Sequence, residues 1–278
     1  MNDATGKLIQ LALEEDLGSA GDITTNATIP PDATGKAAFL AKEDMVIAGL
    51  EVAARVFHEV DARCALHFSV PEGGLIHKGQ VFGEVSGPYR ALLTGERTAL
   101  NFMQRLSGIA TAARRAAEAL EGTGCTILDT RKTTPGWRAL EKAAVRIGGA
   151  KNHRFGLFDG ILIKDNHIEA VGSIGEAIRR AREATHHLIR VEIEVETLEQ
   201  AEEALAAGAD VLMLDNMSDE MMAEAVRRIG GRALTEASGG VRHERLKAIA
   251  ATGVNFVSMG AITHSARAMD ISLNIQRD

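Results

Sequence analysis

The chain reads as an α/β protein with two regions of different grammar. Three observations support this. Up to about residue 90, short strand-like stretches are separated by Gly and Pro. Beyond a long helical pattern that begins near Arg90, strand-like and helical runs alternate. The strand-like runs of this second region end in polar or small residues, whereas a sheet covered on both faces should read as nearly continuous Val, Ile and Leu.

In chain order, "MNDATGKLIQLALEEDLG" predicts an acidic amphipathic helix and lacks the order of charges and apolar residues of a signal peptide. "GKAAFLAKEDMVIAG" and "ALHFSVPEGGLIHKGQVFGEVSG" supply turn-separated strands. The glycine spacing of the second resembles the hairpins of a biotinyl or lipoyl carrier. Lys78, in "HKG", lacks the hydrophobic flanks of a modified lysine, so a structural sandwich is the stronger reading. "ALLTGERTALNFMQRLSGIATAARRAAEAL" predicts a helix capped by Thr94, with Leu100, Met103 and Leu106 at helical spacing and Gly108 as a candidate break. Six strand-like runs follow: "CTILDT", "DGILIKD", "RVEIEVE", "DVLMLDN", "RALTEAS" and "NFVSMGA". The helical patterns between the later runs tend to open at Ser or Thr and close near Gly, as helix capping requires. Repeated βα units give a parallel sheet, open or closed into a barrel, and both forms place their chemistry at the carboxyl ends of strands.

Composition narrows the function. A formal charge of -7 argues against a nucleic-acid partner. No apolar run approaches the roughly 18 residues of a membrane span, so no membrane partner is expected. Cys64 and Cys125 are far apart with no metal-type spacing, which suits a reducing cytoplasm.

The strand ends carry the chemistry. Arg131 and Lys132 follow the first strand; His153 and Arg154 approach the second, and Lys164 stands on it. Alternation in "RVEIEVE" puts Glu192, Glu194 and Glu196 on one face. An edge strand with one solvated face explains that pattern. So does a carboxylate site, which Asp215 at the end of the next strand favours. Oxygen ligands from neighbouring strands suit Mg²⁺ held together with substrate phosphates. Glu236 precedes Ser238, Gly239 and Gly240, and Ser258 and Gly260 follow on the last strand; small residues there leave backbone N–H groups open to phosphate. Together these residues predict a polyanionic substrate bound with Mg²⁺.

At this level of detail the chain resembles the quinolinate phosphoribosyltransferases, also called nicotinate-nucleotide pyrophosphorylases (carboxylating). The matching stretches are "GDITT" (21–25), "GERTALN" (95–101), "LSGIAT" (106–111), "DTRKTTPGWRALEKAAVRIGGAKNHRFGL" (129–157), "IKDNHI" (163–168), "EIEVETLEQA" (192–201), "MLDN" (213–216), "ASGG" (237–240) and "GAITHS" (260–265). The resemblance implies an N-terminal α/β sandwich over residues 1–108, with the segment 265–278 a candidate to pack back on it, and an incomplete, open α/β barrel of TIM type over 109–278. It implies quinolinate and phosphoribosyl pyrophosphate as substrates, Mg²⁺ as cofactor, and a homodimer with shared sites that leaves room for higher assembly. Arg131, His153, Arg154 and Lys164 would then hold the quinolinate carboxylates, with Arg97 reaching the pocket from the partner subunit. Lys132 would hold a phosphate end, Glu194 and Asp215 the ribose hydroxyls and Mg²⁺, and Ser238, Gly239, Gly240, Ser258 and Gly260 would face phosphate.

Two other enzymes compete. A molybdenum-transport-associated paralogue shares the "RKT-x-PG" region but is expected to agree less around "NHR" and "IKDNH", both intact here. A Schiff-base aldolase would use Lys164 as its imine-forming residue, which requires a desolvated lysine or one beside another cation.

Overall fold

The fold follows the turn and capping signals closely. The computed structural model describes residues 3–276. The first elements are α1 (Asp3–Leu17), α2 (Ile23–Thr28), β1 (Thr34–Ala41), β2 (Met45–Val46), α3 (Leu50–Val60), β3 (Ala65–Phe68), β4 (Leu75–Ile76), β5 (Val81–Pro88) and α4 (Tyr89–Ala119). There follow β6 (Thr126–Leu128), α5 (Arg138–Ile147), β7 (Ile161–Ile163), α6 (Asp165–Val171), α7 (Ile174–Ala184), β8 (Val191–Val195), α8 (Leu198–Ala206) and β9 (Val211–Asp215). The last are α9 (Asp219–Ile229), β10 (Leu234–Ser238), α10 (Leu246–Ala251), β11 (Phe256–Ser258), α11 (Ala261–His264) and β12 (Ile271–Gln276). Contacts sort these into two compact units. One holds the chain up to Arg114, Thr134–Gly149 and the stretch from Ala266 onward; the other holds Arg115–Thr133 and Ala150–Ser265.

In the first unit, a four-stranded antiparallel sheet runs in the order β12-β1-β5-β3, and β2 pairs with β4 separately. Helix α3 covers the sheet through Phe57, whose ring meets Phe39 edge-on at 6.4 Å; Phe39 also touches Phe68 and Phe82. Strand β12 pairs with β1 from Ala41↔Ile271 to Lys36↔Gln276, so the end of the chain supplies an edge of the N-terminal sheet. Lys78 lies in the turn between β4 and β5, with its N–H on Asp44 Oδ1 at 2.8 Å. Glu141 of α5 is wholly buried; it accepts from Arg105 Nε and Nη2 and from Thr134 Oγ1 and N, which anchors the end of "DTRKTT".

Two expectations for α4 are corrected. Its first residue is Tyr89, directly after Pro88, so Thr94 is inside the helix. Thr94 instead donates its hydroxyl to Asp22 Oδ2 at 3.1 Å, while Asp22 Oδ1 caps α2 by accepting Thr25 N–H. These hydrogen bonds, those of Thr25 foremost, hold the Asp22 carboxyl below the usual range. Gly108 does not break the helix. A Cβ there would lie 1.9 Å from Arg267 O, so glycine admits a close backbone crossing.

The second unit contains a six-stranded parallel sheet, ordered β6-β11-β10-β9-β8-β7. First and last strands of the series are neighbours, and the ladder lacks the β6–β7 pairing that would close it. This is the incomplete barrel. At the open side Lys151 forms a parallel bridge with Leu128, exchanging bonds with Ile127 O and Asp129 N. Ser173, Thr197 and Ser218 cap α7, α8 and α9 through their hydroxyls. Strand β8 lies between β7 and β9, and Glu192 is only 7% exposed, which rules out the edge-strand reading of "RVEIEVE".

Gly108→Ala is expected to destabilise the protein by about 1–3 kcal/mol through overpacking against the Arg267 carbonyl. Thermal unfolding checks this, and an unchanged midpoint would contradict the crossing.

Candidate active site

In a parallel sheet all strand carboxyl ends emerge on one rim, and here they surround a cavity of about 800 Å³. Arg131, Lys132, His153, Arg154, Lys164, Glu194, Asp215, Ser238, Gly239, Gly240, Ser258 and Gly260 all line it. Six strands, their following loops and the stretch that leads into β7 thus bring twelve of the expected residues together. Arg97 is exposed on α4 and is not among the lining residues.

Cations occupy one part of the lining. Lys164 follows β7 as the N-cap of α6; its N–H donates to His167 Nδ1 at 2.9 Å, so His167 serves the turn. Lys164 Nζ pairs with Glu194 Oε1 at 2.8 Å, and 43% of the lysine side chain is exposed. The lysine is thus not desolvated, and the partner bonded to its Nζ is a carboxylate, not a cation. Arg154 donates from Nη1 to Gly160 O at 3.0 Å. Burial, and then the neighbouring Arg131 guanidinium, push Arg154 below the usual arginine value.

Elsewhere in the lining, Asp215 Oδ2 accepts from Asn216 Nδ2 at 2.6 Å, which fixes the carboxylate plane. Asn216 has φ +54°, a region that asparagine tolerates, and its N–H donates to Ser238 O. Gly239 answers that fold: at φ +92°, a Cβ would sit 2.3 Å from Asn216 Oδ1. A Cβ on Gly260 would lie 3.1 Å from Lys132 Cδ, which places the lysine stem beside the small-residue loops. Thr263 Oγ1 donates to Lys132 O at 2.8 Å.

Below the rim is a cluster that the strand-end reading only touched. His153 Nε2 lies 3.0 Å from Glu192 Oε2 and 3.7 Å from Glu236 Oε1. Glu236 shares a row with Met213 and Glu194, a register visible once β8, β9 and β10 are aligned. Burial first, and then the Glu192 charge, push its carboxyl up to about 8. Arg242 and His264 also line the cavity and were not singled out, since neither lies on a strand. Their signal was position: each stands a few residues past a glycine-containing strand end.

Fold and rim together define an α/β-barrel enzyme with a charged cavity at its strand ends. The chain belongs to the quinolinate phosphoribosyltransferase family: residues 22–107 match "Quinolinate phosphoribosyl transferase, N-terminal domain" and residues 109–274 match the C-terminal domain of the same description. It is 46% identical over 269 residues to a probable nicotinate-nucleotide pyrophosphorylase (carboxylating) of Bacillus subtilis (strain 168), covering 97% of this chain and 92% of that one. A quinolinate phosphoribosyltransferase (decarboxylating) of Nicotiana tabacum is 45% identical over 289 residues, covering 98% and 82%. The solved nicotinate-nucleotide pyrophosphorylase of Francisella tularensis superposes with a TM-score of 0.95 at 38% identity, covering 99% of this chain and 97% of that one.

The Glu236 environment sets a pH dependence. Unfolded, the side chain titrates near 4.5; folded, near 8. The folded protein keeps a proton that the unfolded chain sheds, so this group's contribution to stability falls as pH rises from about 5 to about 8. Glu236→Gln cannot titrate, and its melting temperature should gain on the wild type over that interval. A difference that does not change with pH would contradict the assignment.

Proposed function

We propose that the protein transfers the phosphoribosyl group of phosphoribosyl pyrophosphate to quinolinate with decarboxylation, giving nicotinate mononucleotide, pyrophosphate and CO₂ in NAD biosynthesis. The observation that carries this is one cavity lined by Arg131, Arg154 and Lys164, by the carboxylates of Glu194 and Asp215, and by Ser238–Gly240 and Gly260. A small dianion and a phosphorylated sugar fit such a lining.

The residues divide the work. Arg131, Arg154 and Lys164 hold the acceptor's carboxylates through charge-assisted bonds, each contributing about 1.5–3 kcal/mol. His153 belongs to the same acceptor side. Lys132, Ser238, Gly239, Gly240, Ser258 and Gly260 receive phosphate. As the bond from C1 to pyrophosphate lengthens, positive charge grows at the ribose, and Glu194 and Asp215 stabilise it. The pyridine nitrogen bonds to C1. The resulting pyridinium accepts the electron pair of the C2–carboxylate bond, CO₂ leaves, and a proton fills C2. Glu194 and Asp215 fit Mg²⁺ as an all-oxygen donor set, with Asp215 already oriented by Asn216; they would hold it partly through substrate and water. Bound Mg²⁺ would neutralise charge on the departing pyrophosphate.

Exposure of Arg97 on α4 supports a shared site in a homodimer, with Arg97 entering the partner's cavity. The intact "NHR" and "IKDNH" stretches, whose cations line the cavity, favour quinolinate over the paralogue's acceptor.

Incubation with quinolinate, phosphoribosyl pyrophosphate and Mg²⁺ should yield nicotinate mononucleotide and CO₂ in equal amounts, while nicotinate should not replace quinolinate. Absence of the nucleotide refutes the assignment. Arg97→Ala and Lys164→Ala should each be severely impaired. After subunit exchange, an equal mixture should regain about a quarter of wild-type activity, because half the dimers carry one intact site. No recovery would place Arg97 outside the partner's site.

A further inference from the structure

Two buried carboxylates have no role in the chemistry above, and a cavity for polyanions is a costly place to keep them. Glu192 and Glu236 are 7% and 2% exposed. Their Oε1 atoms have no hydrogen-bond partner among the described residues. Both carboxylates point at one imidazole, with His153 Nε2 at 3.0 Å from Glu192 Oε2 and 3.7 Å from Glu236 Oε1. The opposite ring nitrogen, Nδ1, accepts the Arg154 backbone N–H at 2.7 Å. The ring is therefore a spacer between a buried acidic floor and the backbone of a cavity-lining arginine.

The rest of this loop is held independently. Asp129 is fully buried at the end of β6; its Oδ1 accepts His153 N–H at 2.8 Å and its Oδ2 accepts Asn152 Nδ2 at 2.7 Å. Asp129 thus holds the backbone entering residue 153. At the ring itself, Glu192 Oε2 meets Nε2 at 3.0 Å, and Glu236 Oε1 stands 3.7 Å away, beyond hydrogen-bond length. Glu192 lies two residues before Glu194 on β8, and Glu236 two residues before Ser238 on β10, so each is one inward step deeper than a rim residue.

We propose that Glu192, bonded to His153 at Nε2, and Glu236, packed against both, are positioning residues that hold the ring so that its Nδ1 sets Arg154 against the acceptor's carboxylate. The proposal rests on the quinolinate reading of the cavity. It also explains how the carboxylates coexist with a dianion. With Glu236 held as the neutral acid by its burial beside Glu192, the floor makes its contacts without a second full negative charge.

The test is a kinetic and binding comparison of wild type, Glu236→Ala, Glu236→Gln, His153→Ala and the double variant E236A/H153A. Each substrate is varied in turn, and quinolinate binding is measured separately by calorimetry. Glu236→Ala should raise the KM and Kd for quinolinate by about tenfold or more, while the KM for phosphoribosyl pyrophosphate stays within about threefold. Glu236→Gln, which keeps the shape and the neutral state, should restore most of the loss near neutral pH. In the double variant, removing Glu236 should add nothing to His153→Ala, because Glu236 acts through that ring. If Glu236→Ala does not fold, Glu236→Asp, which shortens the reach to Nε2, takes its place with the same expected split. Equal losses on both substrates, a Gln variant as damaged as Ala, or full additivity with His153→Ala would each overturn the proposal. So would binding of one equivalent of Mn²⁺ or Zn²⁺ by wild type but not by Glu236→Ala, since that would make the cluster a metal site. A wild type that neither binds nor turns over quinolinate removes the functional reading and this proposal together. An active wild type with any of the other overturning results removes the proposal alone.

Discussion

The contact between Lys164 Nζ and Glu194 Oε1, at 2.8 Å, joins the two parts of the site. Lys164 follows β7 and Glu194 lies on β8, so the pair ties the open-edge strand to its neighbour as well as cation to carboxylate. A rim crowded with charge is stable only when opposite charges interleave, because like charges held together in a partly desolvated cavity repel strongly. The Lys164–Glu194 pair meets that condition before any ligand arrives, while Arg131 and Arg154 stand close enough to repel. On the proposed function, substrate carboxylates and phosphates would compete for cations that are already in place.

Much of this was legible in the sequence because a parallel sheet converts strand order into spatial order. "GILIK" and "VLMLDN" each announce a strand and its last polar residue, so Lys164 and Asp215 could be placed on one rim by counting, while "RVEIEVE" offered three glutamates on one face and the family resemblance chose Glu194. Ser173, Thr197 and Ser218 announced their helices for the same local reason: a hydroxyl at the N-cap satisfies an N–H that the helix leaves open. Neither inference needed knowledge of distant packing.

What the sequence concealed depends on contacts between residues far apart in the chain. Thr94 looks like a cap, but the helix runs through it and its hydroxyl meets Asp22, 72 positions away. Gly108 looks like a break, and its reason is the backbone at Arg267. Glu236 stood in view on "RALTEAS", but alternation could not show that register sets it level with Met213 and Glu194, or that the fold brings His153 within 3.7 Å of it. Alternation identifies the face of a strand, while pairing identifies what that face meets.

The central claim is that cations from separate strands converge on one small dianion at this rim. A crystal structure with quinolinate bound tests it most directly. The account predicts both carboxylates within about 3.2 Å of donors on Arg131, Arg154 or Lys164. It also predicts that the ring nitrogen faces the side lined by Glu194 and Asp215. Quinolinate bound against Ser238–Gly240, or anywhere outside this cavity, would contradict it.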